Sequence, residues 1–243
     1  MKAILLGYDH HVGFMELTYK AYQALWPECP LSFRIPINRQ DNPDFEVFRG
    51  KGNVELVESR APFKATTRAL LKGLDAEDWV YWCISDRYPT RLDSALLNRV
   101  FSWIEAGHGE AYNALRLVVD REQVKDEVVD VEGLSFSPKL GIHYGFWHHQ
   151  FCKVKVLAAN LLHPNLPEDY RVYQLNQRFQ AIADRPDGSI SVFEHTLVSR
   201  KSLLSLAEPC LQGQLTANGL ADLKRYACRI PDLPTTSKEE YFS

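Results

Sequence analysis

The sequence lacks the features that mark membrane proteins, secreted proteins and nucleic-acid-binding proteins. No stretch approaches the roughly 18 consecutive apolar residues of a membrane helix. The opening run MKAILLGY is much shorter than the apolar region of a secretory signal peptide. The net charge of −3 gives no excess of cations for the backbone of a nucleic acid. We therefore expect a cytoplasmic protein without a transmembrane segment or a nucleic-acid partner.

Cysteine is also sparse, and its spacing does not favour a structural role. The five cysteines are odd in number and scattered, and none has the CxxC or CxxH spacing that closes a zinc site. They are Cys29, Cys83, Cys152, Cys210 and Cys228. Reduced thiols in the cytosol are the simplest interpretation.

Two common nucleotide-binding motifs are missing as well. No GxGxxG follows the first predicted strand, and no GxxxxGK[ST] occurs anywhere in the chain. These absences argue against a Rossmann dinucleotide enzyme and against a P-loop enzyme. A nucleotide would have to be bound by other means.

What the sequence does contain is an alternation of strand and helix signals. With 243 residues and 45% hydrophobic residues, the chain can bury one continuous core. Apolar runs predict strands, residues with helical spacing predict the intervening helices, and Asp93 is a predicted helix N-cap. The predicted strands are residues 3–8, 31–35, 54–57, 79–84 and 115–119, and the predicted helices are residues 14–25, 62–74 and a segment after Asp93. The pattern predicts an α/β fold with a parallel sheet flanked by helices.

The second half of the chain is less regular. We predict a helix over residues 148–162, with Phe151, Val154, Leu157 and Leu161 facing inward. A strand is expected at residues 190–193, and a helix around the leucines at positions 203, 204 and 206.

Polar side chains follow two of the predicted strands directly. Asp9, His10 and His11 come after the first strand, and Ser85, Asp86 and Arg87 come after the most hydrophobic one. Ligands of open parallel sheets bind outside the carboxyl ends of the strands. These positions are therefore the first candidates for a binding site.

Three segments resemble, in their order, a family of small bacterial glycosyltransferases with the GT-A fold. They are Tyr8-Asp9, the Leu-Trp-Pro-Glu-Cys-Pro run at residues 25–30, and residues 79–88, so the resemblance covers roughly residues 1–105. In that family an Asp-Asp-Tyr or Asp-x-Asp element holds a divalent cation that bridges the diphosphate of a nucleotide sugar. The matching positions here are Ser85, Asp86 and Tyr88, so this sequence has one carboxylate where the family has two.

The resemblance implies a Rossmann-like, nucleotide-sugar-binding sheet in residues 1–110 and an acceptor-side half of the same domain in residues 111–243. It implies an inverting transfer from a nucleotide-sugar donor to a glycan or lipid-linked carbohydrate acceptor, as in polysaccharide biosynthesis. Asp86 would act at the diphosphate and bind Mn²⁺ or Mg²⁺, and Asp9 would contact the base or ribose.

Without a metal, cationic side chains would have to neutralise the diphosphate. The candidates are Arg87, Lys64 and Arg68, of which the last two are four residues apart on one predicted helix. The alternatives are structural: Asp86 as a turn residue, Asp9 as the start of a turn, Arg87 as a surface arginine, and Lys64 and Arg68 on a solvated helix face.

An inverting transfer also needs a base for the acceptor hydroxyl. The candidates are His148, His149 and Glu194, with Glu168, Asp169 and His195 as further choices. A metal site of His143, His148 and His149 is disfavoured by their spacing. The aromatic residues at positions 144, 146 and 147 are candidates for stacking on a sugar or for the core.

Two other functions remain open. A sugar nucleotidyltransferase would use a similar sheet, but its glycine-rich basic loop after the first strand is absent. A non-catalytic nucleotide- or glycan-binding protein derived from a transferase is favoured by Ser85, which stands where the family has a carboxylate.

Overall fold

The computed structural model describes residues 1–119, 124–140, 148–164, 166–168, 195–238 and 241–242. Its main feature is a large sheet with helices on both faces, so the α/β fold expected from the sequence is confirmed. No helix in these ranges is long and apolar enough to cross a membrane.

The bounds of the elements are as follows. The strands are β1 Lys2–Leu6, β2 Ser32–Ile37, β3 Val54–Glu58, β4 Trp79–Ile84, β5 Tyr88–Leu92, β6 Ala114–Arg116, β7 Val129–Val131, β8 Leu134–Pro138, β9 Gln150–Lys153, β10 Thr196–Ser199, β11 Leu204–Ala207, β12 Cys210–Leu211, β13 Gln214–Thr216, β14 Thr235–Thr236 and β15 Tyr241–Phe242. The α-helices are α1 Val12–Leu25, α2 Phe63–Leu71, α3 Ser94–Glu105, α4 Val154–Leu161 and α5 Ala217–Arg225. Short 3-10 turns lie at Asp9–His11 and Pro43–Val47.

The large sheet has the strand order β3-β2-β1-β4-β9-β6-β10-β8-β7. The first four strands are parallel, and Leu6 at the end of β1 lies opposite Ile84 at the end of β4. Strand β9 then runs antiparallel to both of its neighbours, β4 and β6. The carboxyl ends of β1 to β4 therefore share one edge of the sheet. Strands from both halves of the chain contribute to the complete sheet.

Alternating side chains of the central strands fill two separate cores. Ala3 and Leu5 of β1 face a cluster that includes residues of α1 and α3. Ile4 and Leu6 face the opposite cluster, which includes residues of α2 and α4. The period of two in a strand buried on both faces accounts for the unbroken apolar runs in the sequence.

The C-terminal elements pack against α1 and the segment after β4. Strand β5 pairs with β11, and α5 contributes Leu223 to a third core cluster with Phe14 and Leu17 of α1. The hairpin of β12 and β13 turns at Gln212 and Gly213, whose φ angles of 51° and 78° are left-handed. Such a two-residue turn matches the twist of the paired strands.

Two helices predicted from the sequence are wrong in part or in full. Residues 150–153 form β9 rather than the first turn of a helix, because this buried segment completes the sheet between β4 and β6. Leu204 and Leu206 lie in β11, where they alternate with the less buried Ser205 as strand residues do. The strand predicted at residues 190–193 lies outside the described residues.

Candidate functional site

The shared edge of β1 to β4 brings together polar side chains that follow these strands. Asp9 and Asn38, after β1 and β2, are joined by reciprocal bonds from each backbone nitrogen to the other's side-chain oxygen, at 3.4 and 2.8 Å. The amide of Asn38 donates to Ser59 Oγ, after β3, at 3.0 Å. Ser85 and Asp86 follow β4 at the same edge.

Asp9 is already committed to this edge of the sheet. Its side chain is 8% exposed, and its carboxylate accepts hydrogen bonds from the backbone of Asn38 and Arg39 and from the amide of Asn42. The backbone nitrogen of Arg39 and the side-chain nitrogen of Asn42 each lie 3.2 Å from Asp9 Oδ2. The contact of Asp9 with the base or ribose stays a prediction, and these bonds give it a structural role in holding the loop after β2.

Asp86, unlike Asp9, has a side-chain oxygen that is not hydrogen-bonded within the described part of the chain. Its Oδ1 atom is buried and has no hydrogen-bond partner among the described residues. Burial raises the pKa of this carboxyl group, and the charge of Arg87 opposes the rise. A buried polar atom with unmet bonding capacity costs about 1–3 kcal/mol, and a ligand that bonds to it removes that cost.

Tyr8 lies near Asp86, and His11 lies near Ser85. Both belong to segments that were singled out from the sequence at the end of the first strand, but neither was given a role there. The ring of Tyr8 is 44% exposed, it stacks on His11 at a centroid distance of 4.0 Å, and its hydroxyl lies 2.8 Å from His11 Nε2. Burial and then the charge of Asp86 raise the pKa of Tyr8. The sequence feature that could have indicated their role is an aromatic residue at the end of an apolar strand, close to two histidines.

His11 connects this aromatic pair to the end of β4. Its Nδ1 atom lies 3.5 Å from Ser85 Oγ. Burial, with a smaller effect of His10, lowers the pKa of His11 to about 4, so the ring is neutral at pH 7. Cys210, from the hairpin, also lies near enough to Asp86 for that charge to raise its pKa, although burial has the larger effect.

Arg87 and Tyr88 face the C-terminal elements. The guanidinium of Arg87 is buried and donates to Glu208 Oε1 at 3.1 Å, and the hydroxyl of Tyr88 donates to Asp222 Oδ2 at 2.7 Å. The interpretation of Arg87 as a surface arginine is therefore wrong. Donor binding by either residue stays a prediction, and both side chains hold the C-terminal region against the end of β4.

Lys64 and Arg68 meet at Glu168. Lys64 Nζ is buried and donates to the carbonyl of Leu166 at 2.8 Å, whereas Arg68 is 56% exposed and lies 3.2 Å from Glu168 Oε1. The hydrogen bond from Arg68 is the main cause of a lowered pKa of Glu168. A solvated helix face therefore describes Arg68 but not Lys64.

A groove with a volume of about 850 Å³ opens beside these residues, between α2 and α4. Its floor is apolar, with Ala69, Ala158 and Leu162, and Arg68 and Glu168 lie at its margin. Asp86 does not contribute to its lining. The groove therefore reaches the end of β3 through Glu58 and Ser59, but not Asp86 at the end of β4.

The predicted bases that the structure describes lie in different environments. His149 is fully buried, and burial lowers its pKa to about 3, so the geometry gives this imidazole a structural role. His148 precedes β9, and Glu168 is bonded to Arg68. His195 is exposed just before β10. The remaining candidates lie outside the described residues, namely Glu194, Asp169, His143 and the aromatic residues at positions 144, 146 and 147.

A divalent cation would find one protein ligand here, Asp86 Oδ1. In the parts of the chain that the structure describes, no three side chains of His, Cys, Asp or Glu come together as metal ligands. Mg²⁺ is commonly held by one or two carboxylates together with water and substrate phosphates. The site therefore fits a cation only if a bound diphosphate supplies further ligands.

No protein-family model and no curated protein sequence matches the chain. Among solved structures, it is similar to S. aureus TarS residues 1–349, with 17% identity, a TM-score of 0.48, and coverage of 84% of this chain and 59% of that one. It is similar to galactosyltransferase LgtC in complex with donor and acceptor sugar analogues, with 11% identity, a TM-score of 0.41, and coverage of 98% and 87%. A third similar structure is 4-diphosphocytidyl-2C-methyl-D-erythritol synthase from Anaerococcus prevotii, with 12% identity, a TM-score of 0.45, and coverage of 93% and 95%.

Proposed function

We propose that this protein is a transferase that moves a sugar from a nucleotide-sugar donor to a hydroxyl group of a glycan or lipid-linked acceptor. The observation that carries the proposal is the buried Oδ1 atom of Asp86 at the carboxyl end of β4, which has no partner among the described side chains and backbone groups. The exposed ring of Tyr8 beside it offers a flat apolar surface to a nucleoside or sugar.

In the proposed reaction the bond between the sugar's anomeric carbon and the diphosphate oxygen breaks as the acceptor oxygen bonds to that carbon. The nucleoside diphosphate leaves with the electron pair, and a base takes the acceptor proton. Asp86 would act at the diphosphate end, where a divalent cation such as Mn²⁺ or Mg²⁺ supplies charge neutralisation when bound. His148 and Glu194 are the bases we propose, with inversion at the anomeric carbon.

A second candidate is a protein that binds a nucleotide or glycan without turning it over. The observation in its favour is that two charged residues near the strand ends are already bonded within the protein. Asp9 bonds to the loop after β2, and Arg87 bonds to Glu208. Arg87 is then less available to neutralise a leaving diphosphate.

Asp86→Asn tests the proposal, with Asp75→Asn as its control. Asp75 is exposed before the amino end of β4, so the same chemical change is made at the other edge of the sheet. We first screen diphosphate sugars of uridine, guanosine, cytidine and thymidine by thermal shift, with and without Mn²⁺ or Mg²⁺. A ligand at about 100 times its dissociation constant adds roughly 2.7 kcal/mol of stability.

For a donor found in that screen, we expect Asp86→Asn to lower the rate of donor hydrolysis or transfer about 100-fold or more, as loss of one charge-stabilising contact does in other enzymes. Asp75→Asn should keep the wild-type rate. Binding without turnover in the wild type would favour the non-catalytic alternative. Equal rates for Asp86→Asn and the wild type would remove Asp86 from the mechanism.

A further inference from the structure

Helix α1 is linked to the backbone on both sides of Ser85 and Asp86, directly on one side and through His149 on the other. On the far side, the buried hydroxyl of Thr18 donates to the carbonyl oxygen of Arg87 at 3.0 Å. Tyr22, one helical turn after Thr18, lies 2.6 Å from His149 Nδ1 through its hydroxyl oxygen. Residues four apart share one face of a helix, so both contacts come from the same face of α1.

His149 completes the contact on the near side. Its Nε2 atom lies 3.3 Å from both the backbone nitrogen and the carbonyl oxygen of Ile84, the last residue of β4. Strand β9 begins at Gln150, so the imidazole satisfies one backbone group of Ile84, which one depending on its tautomer, at the point where the pairing of β4 with β9 ends.

The same chain of hydrogen bonds continues into the sheet. The hydroxyl of Tyr22 also lies 2.7 Å from the hydroxyl of Tyr81, and the rings of Tyr22, Tyr81 and His149 are all fully buried. A neutral imidazole has one donor and one acceptor nitrogen, which suits a chain that runs from a tyrosine hydroxyl to a backbone group. Fully satisfied buried networks of this kind make the surrounding structure rigid.

Asp86 needs such rigidity. A carboxylate with an unmet buried oxygen gains hydration if the backbone lets it turn toward water. Hydrogen bonds at residues 84 and 87 restrict the backbone just before and just after the Ser85-Asp86 pair. The carboxylate is thereby kept in the position in which a ligand would find it.

We propose that Thr18, Tyr22 and His149 are positioning residues that fix the backbone around Asp86 and keep its carboxylate directed at the bound donor. The catalytic part of this inference rests on the proposed function, whereas the restraint of the backbone does not.

The variants Tyr22→Phe and Thr18→Val remove one hydroxyl each and preserve the shape of the side chain. The chain offers matched controls that lose an equivalent bond elsewhere. Tyr19, also on α1, donates to Asn53 Oδ1 at 2.8 Å, and the buried Thr67 of α2 donates to the carbonyl of Phe63 at 3.0 Å. The controls are therefore Tyr19→Phe and Thr67→Val.

The first measurement is amide hydrogen exchange, which does not depend on activity. The amides of Ser85 and Arg87 donate to Leu6 and Ile84, at 2.8 and 3.3 Å. We expect these two amides to exchange about tenfold faster or more in Tyr22→Phe and Thr18→Val, because local opening governs exchange, and to be unchanged in both controls. Equal exchange in the variants and the controls would overturn the proposal.

The second measurement is turnover of the donor in a double-mutant cycle. Tyr22→Phe should lower kcat about tenfold in the wild type, leave KM nearly unchanged, and cause no further loss in an Asp86→Asn background, because the two residues act as one unit. The same loss in both backgrounds would mean that Tyr22 does not act through Asp86. If the wild type turns over no donor, the proposed function fails, and hydrogen exchange still decides the positioning role.

Discussion

Two charged clusters predicted to bind the donor differ in how their polar groups are satisfied. At the end of β4, Asp86 Oδ1 is buried and lacks a bonding partner in the described structure, and burial raises the pKa of its carboxyl group. At the start of α2, Lys64 donates to a backbone carbonyl, and Arg68 pairs with Glu168. Both clusters were chosen from charge and spacing, yet among their described residues a buried side-chain atom without a partner occurs only at Asp86.

The two clusters also differ in their expected contribution to the stability of the folded protein. An unsatisfied buried polar group costs about 1–3 kcal/mol, whereas an exposed ion pair contributes about 0–1 kcal/mol. A buried group that lowers the stability of the folded protein is expected mainly where it serves binding. A weak ion pair on the surface is explained without a ligand. Unmet bonding capacity therefore favours Asp86 over Lys64 and Arg68 as the residue that binds a ligand, and this choice stays a prediction.

The largest effect is expected at the ion pair next to Asp86. Arg87 and Glu208 have side chains that are 8% and 17% exposed and lie 3.1 Å apart. Glu208→Gln would remove the charge that pairs with the buried guanidinium, and we expect a loss of about 3 kcal/mol in the free energy of unfolding, measured in urea.

The control for that variant is Glu46→Gln, which breaks the exposed pair with Arg49 on the 3-10 turn after β2. It should change the free energy of unfolding by less than about 0.5 kcal/mol. If Glu208→Gln were as mild as the control, Arg87 would be available to a ligand, and the contrast between the two clusters would weaken.

An effect of intermediate size is expected in the pH dependence of stability. Because burial raises the pKa of Asp86, the unfolded chain releases this proton at a lower pH than the folded chain does. Both states are protonated at the lowest pH, so the loss of stability from this group appears as pH rises from the unfolded value through the folded one. Asp86→Asn should therefore unfold at a higher temperature than the wild type at pH 7.

The sign of that difference can be checked by repeating the melts down to pH 3. The advantage of Asp86→Asn should shrink as the pH falls toward about 3.9, the ordinary value for aspartate, because the wild-type group is then protonated in both states. Asp75→Asn, on the exposed segment before β4, is the matched control. An Asp86→Asn variant less stable than the wild type at pH 7 would mean that the carboxylate has a stabilising partner.

The parts of the fold that were predictable have local causes. The unbroken apolar run of β4 and the Asp93 cap, whose side chain accepts from the backbone nitrogen of Leu96 at 3.1 Å, are determined by residues close in sequence. Strand β9 was missed because it has four residues and its partners β4 and β6 are distant in the chain. A short segment between distant strands leaves little local signal.

The candidate site also has one part that was predictable from local sequence and one part that depends on tertiary packing. The rule that ligands bind at strand ends places Asp86 correctly at the shared edge, because it depends only on recognising β4. That Arg87 reaches Glu208, 121 residues further on, depends on tertiary packing. The buried position of His149 likewise depends on its bonds to Tyr22 and Ile84, 127 and 65 residues earlier in the chain.

The smallest effect is expected for a variant of Arg68 on α2. This variant tests most directly the contrast between Asp86 and the cluster of Lys64 and Arg68. Arg68 and Glu168 are 56% and 59% exposed, so Arg68→Ala should lower the free energy of unfolding by no more than about 1 kcal/mol. Because Arg68 is already paired with Glu168, the affinity for the donor found by thermal shift should be unchanged when measured by calorimetry. A residue that binds a diphosphate through a charge-assisted bond would instead lose about tenfold or more in affinity on truncation. A loss of that size in Arg68→Ala, with the wild-type value kept in Glu168→Gln, would move the donor's phosphates to the groove between α2 and α4 and away from Asp86.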